Sequence, residues 1–108
     1  MDIADFETNC PFCHVAAEDV IFENALAFGF FDRFPVNPGH VLIVPKRHFA
    51  SFFEASAEEL VAIYDLIRQG KTMLDERFSP DGFNVGVNVG EASGQTIFHL
   101  HVHLIPRY

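Results

Sequence analysis

Near its C-terminal end the chain runs His99-Leu100-His101-Val102-His103-Leu104-Ile105, with imidazole and aliphatic side chains in strict alternation. Successive side chains of an extended strand point to opposite faces, so this stretch places its histidines on one face and Leu100, Val102 and Leu104 on the other. Neighbours on one face stand about 6.5–7 Å apart along a strand. The aliphatic side needs a core to pack on, and the imidazole side needs something polar. Three buried core histidines would each need a partner of their own. A zinc site is the other common use of His-x-His on a strand.

The rest of the chain supplies that core. Residues 20–23 and 25–31 read as two short strands joined at Asn24, followed by a Pro/Asn/Gly-rich loop over 33–39. Residues 41–44 form an apolar run closed by Pro45, the pattern of a buried strand. Ser56-Ala-Glu-Glu59 has the form of a capping box. Behind it Leu60, Ile63, Tyr64, Ile67, Met73 and Leu74 recur at helical spacing through about Phe78. Gly70 interrupts this helix at a cost of about 1 kcal/mol relative to Ala, and the period continues on both flanks. A turn over 79–82, alternation over 83–89, a loop over 90–95 and a last strand over 96–105, stopped by Pro106, complete the chain. The order β-β-β-α-β-β predicts an α+β fold with a largely antiparallel sheet, in a single domain over 1–108.

Composition narrows the function. With 7 basic and 15 acidic residues the formal net charge is −8, and no basic stripe exists to track a nucleic acid backbone. No apolar run approaches the roughly 20 residues of a membrane span. The acidic start MDIADFETNC lacks the apolar core of a signal peptide. The expectation is a cytoplasmic protein with neither a membrane nor a nucleic acid partner. The two cysteines, Cys10 and Cys13, are too close to staple a secreted fold. They read as half of a zinc site, a redox dithiol or a labile disulfide. The redox reading is weakened because the pair precedes every assigned strand instead of opening a helix after one.

The alternating stretch resembles the histidine triad signature, His-φ-His-φ-His-φ-φ, where φ is hydrophobic. Gly94-Gln95-Thr96 before it, the stretch Pro-Gly-His-Val-Leu-Ile-Val-Pro-Lys-Arg-His over 38–48, and Ala-Phe-Gly-Phe-Phe-Asp over 27–32 are similar to further blocks of that family, in the expected order. The resemblance implies a five-stranded antiparallel sheet with one long helix and a short N-terminal helix. It also implies a nucleotide hydrolase or transferase, usually a homodimer. His101 would attack the α-phosphorus, form a covalent nucleotidyl-histidine and release a nucleoside monophosphate from phosphoramidates or dinucleoside polyphosphates. A histidine is mostly unprotonated at neutral pH, and if its Nδ1–H is given to a backbone carbonyl, Nε2 becomes the attacking atom.

Matching positions make His40, His103, Gln95 and Asn88 hydrogen-bond donors to the phosphate, with the Thr96 hydroxyl near the leaving group. Asn88 and Gln95 also suit plain turn-forming roles, and His40 an exposed strand start. Asp32 would bind the ribose hydroxyls, or else cap a turn. Phe12, Val15 and Phe30 would sandwich a purine, or else belong to the core. The resemblance further implies a structural zinc on Cys10, Cys13, His48 and His99, with no catalytic metal expected. Losing that metal is expected to loosen the N-terminal segment and leave His101 in place. The chain's end at Tyr108, just past the triad, implies an open leaving-group side. Two alternatives are a nucleotide-binding regulatory module with vestigial catalysis and a hydrolase whose zinc sits on the triad itself.

Overall fold

A computed structural model of the protein describes residues 7–108, so the first six residues of the acidic N-terminal stretch lie outside it. Among the described residues no helix is long and apolar enough to cross a membrane. Five strands, β1 (Phe22–Glu23), β2 (Ala27–Phe31), β3 (Val41–Pro45), β4 (Gly82–Val87) and β5 (Val102–Arg107), and one α-helix, α1 (Ala57–Phe78), make the frame. The sheet has the order β1-β2-β3-β5-β4 with every neighbouring pair antiparallel. Among the described residues, the N-terminal segment forms single 3-10 turns at Pro11–Cys13 and Ala17–Asp19.

The capping box forms as expected. Ser56 Oγ accepts the Glu59 N–H at 3.1 Å, and the Glu59 carboxylate accepts the Ser56 N–H at 2.9 Å. Ala62, Ile63, Leu66, Gly70 and Leu74 are the buried stripe of α1. Of these, Ala62, Ile63, Leu66 and Leu74 meet Ala27, Val41, Ile43, Leu100, Val102 and Leu104 in one core cluster. The opposite sheet face carries a second cluster of Cys10, Phe12, Phe30, Leu42 and Val44. The helix therefore covers one side, and the N-terminal turns close over the other.

Gly70 is tolerated because the helix lies close to the sheet there. A Cβ at this position would stand 2.8 Å from Leu104 Cδ2 and 3.3 Å from the Phe22 ring. On β2, a Cβ at Gly29 would fall inside the van der Waals envelope of the same ring. Phe22 thus packs over two glycines, tying the edge strand to the helix. Gly29→Ala is expected to lower stability by about 1–3 kcal/mol through overpacking, read as a drop in Tm of about 4–8 °C per kcal/mol. An unchanged Tm would mean that the Phe22 ring simply swings aside.

The last strand is shorter than the alternation suggests. It begins at Val102, leaving His99 in a bend and His101 outside the ladder. The pairing Ile43↔Val102 would, if continued, bring Leu100 opposite Pro45, which has no N–H to give. Leu100 N–H bonds instead to Phe49 O at 2.7 Å. The first two strands also start later than the apolar pattern suggests, at Phe22 and Ala27. Asn24 explains the gap, because its Oδ1 accepts the N–H groups of Leu26 and Ala27 and folds 24–26 into a turn.

Candidate functional site

The three alternating histidines do fall on one side of the sheet, and each is distinguished by what its second ring nitrogen meets. His101 Nδ1 lies 2.8 Å from His99 O. A carbonyl only accepts, so Nδ1 carries the proton and Nε2 holds the lone pair. The ring is buried and packs edge-on against Phe12 and His103, both with centroids 5.1 Å away.

A second chain of bonds sets His103. The Val36 N–H points at His40 Nδ1 at 3.1 Å, which makes Nδ1 the acceptor and puts the His40 proton on Nε2. That Nε2 lies 3.0 Å from His103 Nδ1 and 3.5 Å from Asp32 Oδ2. His40 therefore donates to His103, and the His103 proton is left on Nε2 as a donor. Asp32, His40 and His103 lie close enough together to share a metal ion. Metal binding at His40 Nε2 would require losing that proton or the Val36 bond, so the trio reads as a hydrogen-bond relay. Asp32 Oδ1 accepts the Phe34 N–H at 3.0 Å, so this carboxylate does cap a turn while also facing His40.

Burial pushes His40 below the ordinary imidazole range, opposed by the Asp32 carboxylate. Burial does the same to His103, helped by His101 and His40 and again opposed by Asp32. Both rings are therefore harder to protonate folded than unfolded. Their contribution to stability is whole above pH 6.5, the unfolded value, and is lost as pH falls toward the lower folded values. An NMR titration of the His40 and His103 ring protons is expected to give midpoints below 6.5. Midpoints at or above it would mean that the relay is not neutral as drawn.

The first triad histidine points elsewhere. His99 Nε2–H is given to Pro45 O at 2.8 Å, so its Nδ1 lone pair faces Cys10 Sγ at 3.4 Å, Cys13 Sγ at 3.6 Å and His48 Nδ1 at 3.1 Å. His48 Nδ1 is 3.4 Å from Cys13 Sγ. A tetrahedral ion with Zn–N near 2.0–2.1 Å and Zn–S near 2.3 Å has ligand-to-ligand edges of roughly 3.3–3.8 Å, close to these separations. Cys10, Cys13, His48 and His99 are thus a group able to bind a metal. The second-nitrogen bond of His99 is the usual outer support of such a ligand. Burial lowers the His99 pKa to about 4, keeping the ring neutral and able to coordinate. Burial raises the Cys10 thiol, a shift that a bound metal reverses by holding the thiolate. Both cysteines are unbridged.

Loop 46–50, which carries His48, is anchored by Arg47. Its guanidinium holds the Glu59 carboxylate at 2.8 and 3.1 Å and donates to Glu54 O at 3.2 Å. Glu59 thus serves both the helix cap and the loop. Burial alone would raise its carboxyl, but the Arg47 and Ser56 hydrogen bonds bring it below the usual range. Sequence reasoning missed this pair, as it missed the Val36 amide and Pro45 carbonyl, because backbone partners leave no trace in side-chain pattern.

The remaining candidates divide. Phe12, Phe30 and Val15 come together on the site face, with Phe12 and Phe30 centroids 5.5 Å apart. Gln95 departs from its expected role as phosphate donor. It is buried, and its Nε2 donates to Ala50 O and Ile97 O at 3.0 and 3.1 Å while Oε1 accepts the Gly90 N–H. Both amide protons are committed to holding loops together. Asn88 is half-buried with its Nδ2 beside Gly94, and Thr96 is exposed.

The sequence and the fold have counterparts among known proteins. A family model described as "HIT domain" matches residues 14–108. A 16.1 kDa HIT-like protein from Mycoplasma pneumoniae is 38% identical over 93% of this chain and 72% of its own length. The bis(5'-nucleosyl)-tetraphosphatase [asymmetrical] of Schizosaccharomyces pombe is 33% identical over 82% of this chain, which matches 48% of that protein. Among solved structures, a HIT family protein from Bacillus anthracis superposes with a TM-score of 0.86 at 34% identity, covering 94% of this chain and 74% of that one. A Zn-bound histidine triad family protein from Mycobacterium smegmatis superposes with a TM-score of 0.82 at 29% identity, covering 93% and 76%.

Proposed function

Since the chain belongs to the histidine triad (HIT) family, we propose that it is a nucleotide hydrolase or transferase in which His101 Nε2 attacks the α-phosphorus of a purine nucleotide. The observation that carries this reading is the 2.8 Å bond from His101 Nδ1 to His99 O, which leaves the lone pair on Nε2. Attack forms a P–N bond as the bond to the leaving group breaks. Water then cleaves the P–N bond, returning His101 and releasing a nucleoside monophosphate, so one hard displacement becomes two easier ones.

The other residues act by charge and placement, which is where most of the rate of phosphoryl transfer arises. His103 Nε2–H is the donor to a phosphate oxygen or to the leaving oxygen, held in that tautomer by His40. Asn88 adds a second donor, and Thr96 places a hydroxyl near the leaving group. Gln95 is a positioning residue, pinning the loop before the triad to Ala50. Asp32 accepts the ribose hydroxyls beside its bond from Phe34, and Phe12, Val15 and Phe30 form the base wall. The Gln95-Thr96 pair and the tetraphosphatase relative support dinucleoside polyphosphates as substrates, with phosphoramidates the other class.

The Cys10, Cys13, His48 and His99 group fits a structural zinc, a reading the zinc-bound relative supports. The exposed edge strand β4, with Val85 outward, suits a homodimer joined sheet to sheet. The test is to trap the intermediate with a labelled adenylate donor and locate the label by mass spectrometry. Label on His101 is expected. Label on another residue, or tight AMP binding with no label and no turnover, would refute the mechanism, and the second outcome would favour a binding module.

A further inference from the structure

We propose that the Cys10–Cys13–His48–His99 centre is a positioning device for His101, so that a divalent metal in the centre fixes the orientation of the nucleophile's ring. The decisive group is the peptide between His99 and Leu100. Its C=O accepts His101 Nδ1–H at 2.8 Å, and its N–H is given to Phe49 O at 2.7 Å. Phe49 follows the ligand His48, and His99 is itself a ligand. This peptide lies before β5 begins, outside the regular sheet ladder. Its plane depends on loop 46–50 and the 99–101 segment staying together; His48 Nδ1 and His99 Nδ1 are 3.1 Å apart, and a metal held by these two residues would join the two pieces.

The cysteines act from the other side. Phe12 lies inside the Cys10–Cys13 turn and packs edge-on against the His101 ring at 5.1 Å. Its own position is set by the turn, whose Cys13 N–H bonds to Cys10 O at 3.1 Å. Cys13 and His48 are therefore adjacent in sequence to groups that touch His101 or orient the peptide it bonds, His99 belongs to that peptide, and Cys10 opens the turn that carries Phe12. Cys10, Cys13, His48 and His99 would hold the metal, and binding would release the two thiol protons to solvent. Emptying the centre frees the His99 ring at Nδ1 and loosens both supports of the nucleophile. This reverses the expectation that His101 is indifferent to the metal. Its catalytic consequence rests on the proposed role of His101, but the effect on the ring does not.

The test uses the full chain with 15N-labelled histidine, zinc-loaded and chelator-stripped, near about pH 8 where neutral rings prevail. Two-bond 1H–15N correlations report the His101 tautomer. The zinc-loaded protein is expected to show the Nδ1–H form alone and the stripped protein a tautomer mixture that zinc reverses. The stripped protein should also lose on the order of 10²-fold in kcat, the scale of a small misplacement of a reacting atom, with KM within about threefold. Ile63→Val lowers core stability without touching the centre, and with zinc it should keep the Nδ1–H form. A folded, stripped protein with an unchanged His101 tautomer would overturn the proposal. If stripping unfolds the chain, His48→Ala at limiting zinc gives the same readout. A zinc-dependent tautomer in a protein without turnover would sustain the coupling while refuting the role of His101 as nucleophile.

Discussion

His101→Ala is expected to lower the release of AMP from an adenosine phosphoramidate by on the order of 10⁴-fold or more, with the loss in kcat and little change in AMP affinity. Removing a covalent nucleophile costs about that much or more in other hydrolases, and what survives comes from the groups that bind and polarise the substrate. The three imidazoles hold different offices because their second nitrogens are committed differently. His99 gives Nε2–H to Pro45 O and turns its lone pair toward the metal-ligand group. His101 gives Nδ1–H to His99 O and keeps a lone pair on Nε2. His103 accepts from His40 and keeps a proton on Nε2. On the proposed mechanism one ring is thus a ligand, one a nucleophile and one a donor. His103→Ala is accordingly expected to cost less, about 10²–10³-fold, the worth of one donor to developing charge. Activity of His101→Ala within tenfold of the parent in a phosphoramidate assay would remove the nucleophile assignment, and a larger loss from His103→Ala would invert the two roles.

Much of this division was legible before any coordinates, and the reason is periodicity. A two-residue repeat fixes faces, so His99, His101 and His103 had to share a side opposite Leu100, Val102 and Leu104, and they do. The capping box at Ser56 and Glu59 marked the start of α1 because its reciprocal bonds need only residues three positions apart in the chain. Where β5 begins was not legible, because it depends on Pro45, a residue distant in sequence that ends the pairing. The committed state of Gln95 was hidden for a similar reason: its partners are the Ala50, Ile97 and Gly90 backbones. Tautomers were hidden too. Nothing in the alternation says that Val36 N–H sets His40, yet that amide determines which nitrogen of His103 is the donor. Side-chain pattern thus locates the site, and backbone partners decide what each ring does there.

The proposed zinc site of Cys10, Cys13, His48 and His99 carries the largest expected effect on stability. A ligand that binds only the folded chain stabilises it by RT ln(1 + [L]/Kd), about 4.1 kcal/mol when free zinc is 1,000 times its dissociation constant. For a domain of this size each kcal/mol moves Tm by about 4–8 °C, so chelation is expected to lower Tm by roughly 15–30 °C. Cys13→Ala isolates the cause better than Cys10→Ala, because Cys10 is 6% exposed and packs with Phe12, Phe30, Leu42 and Val44, whereas Cys13 is only half-buried. With one thiolate gone, zinc and chelator should give nearly the same Tm, close to that of the stripped parent. The competing dithiol and disulfide readings expect a different control variable. They make Tm respond to reductant or oxidant and leave it indifferent to a chelator. Thermal melts of parent and Cys13→Ala, each with zinc, with chelator and with reductant, separate the cases. A parent Tm that moves with reductant but not with chelator would leave Cys10 and Cys13 as a redox pair and remove His48 and His99 from any ligand set.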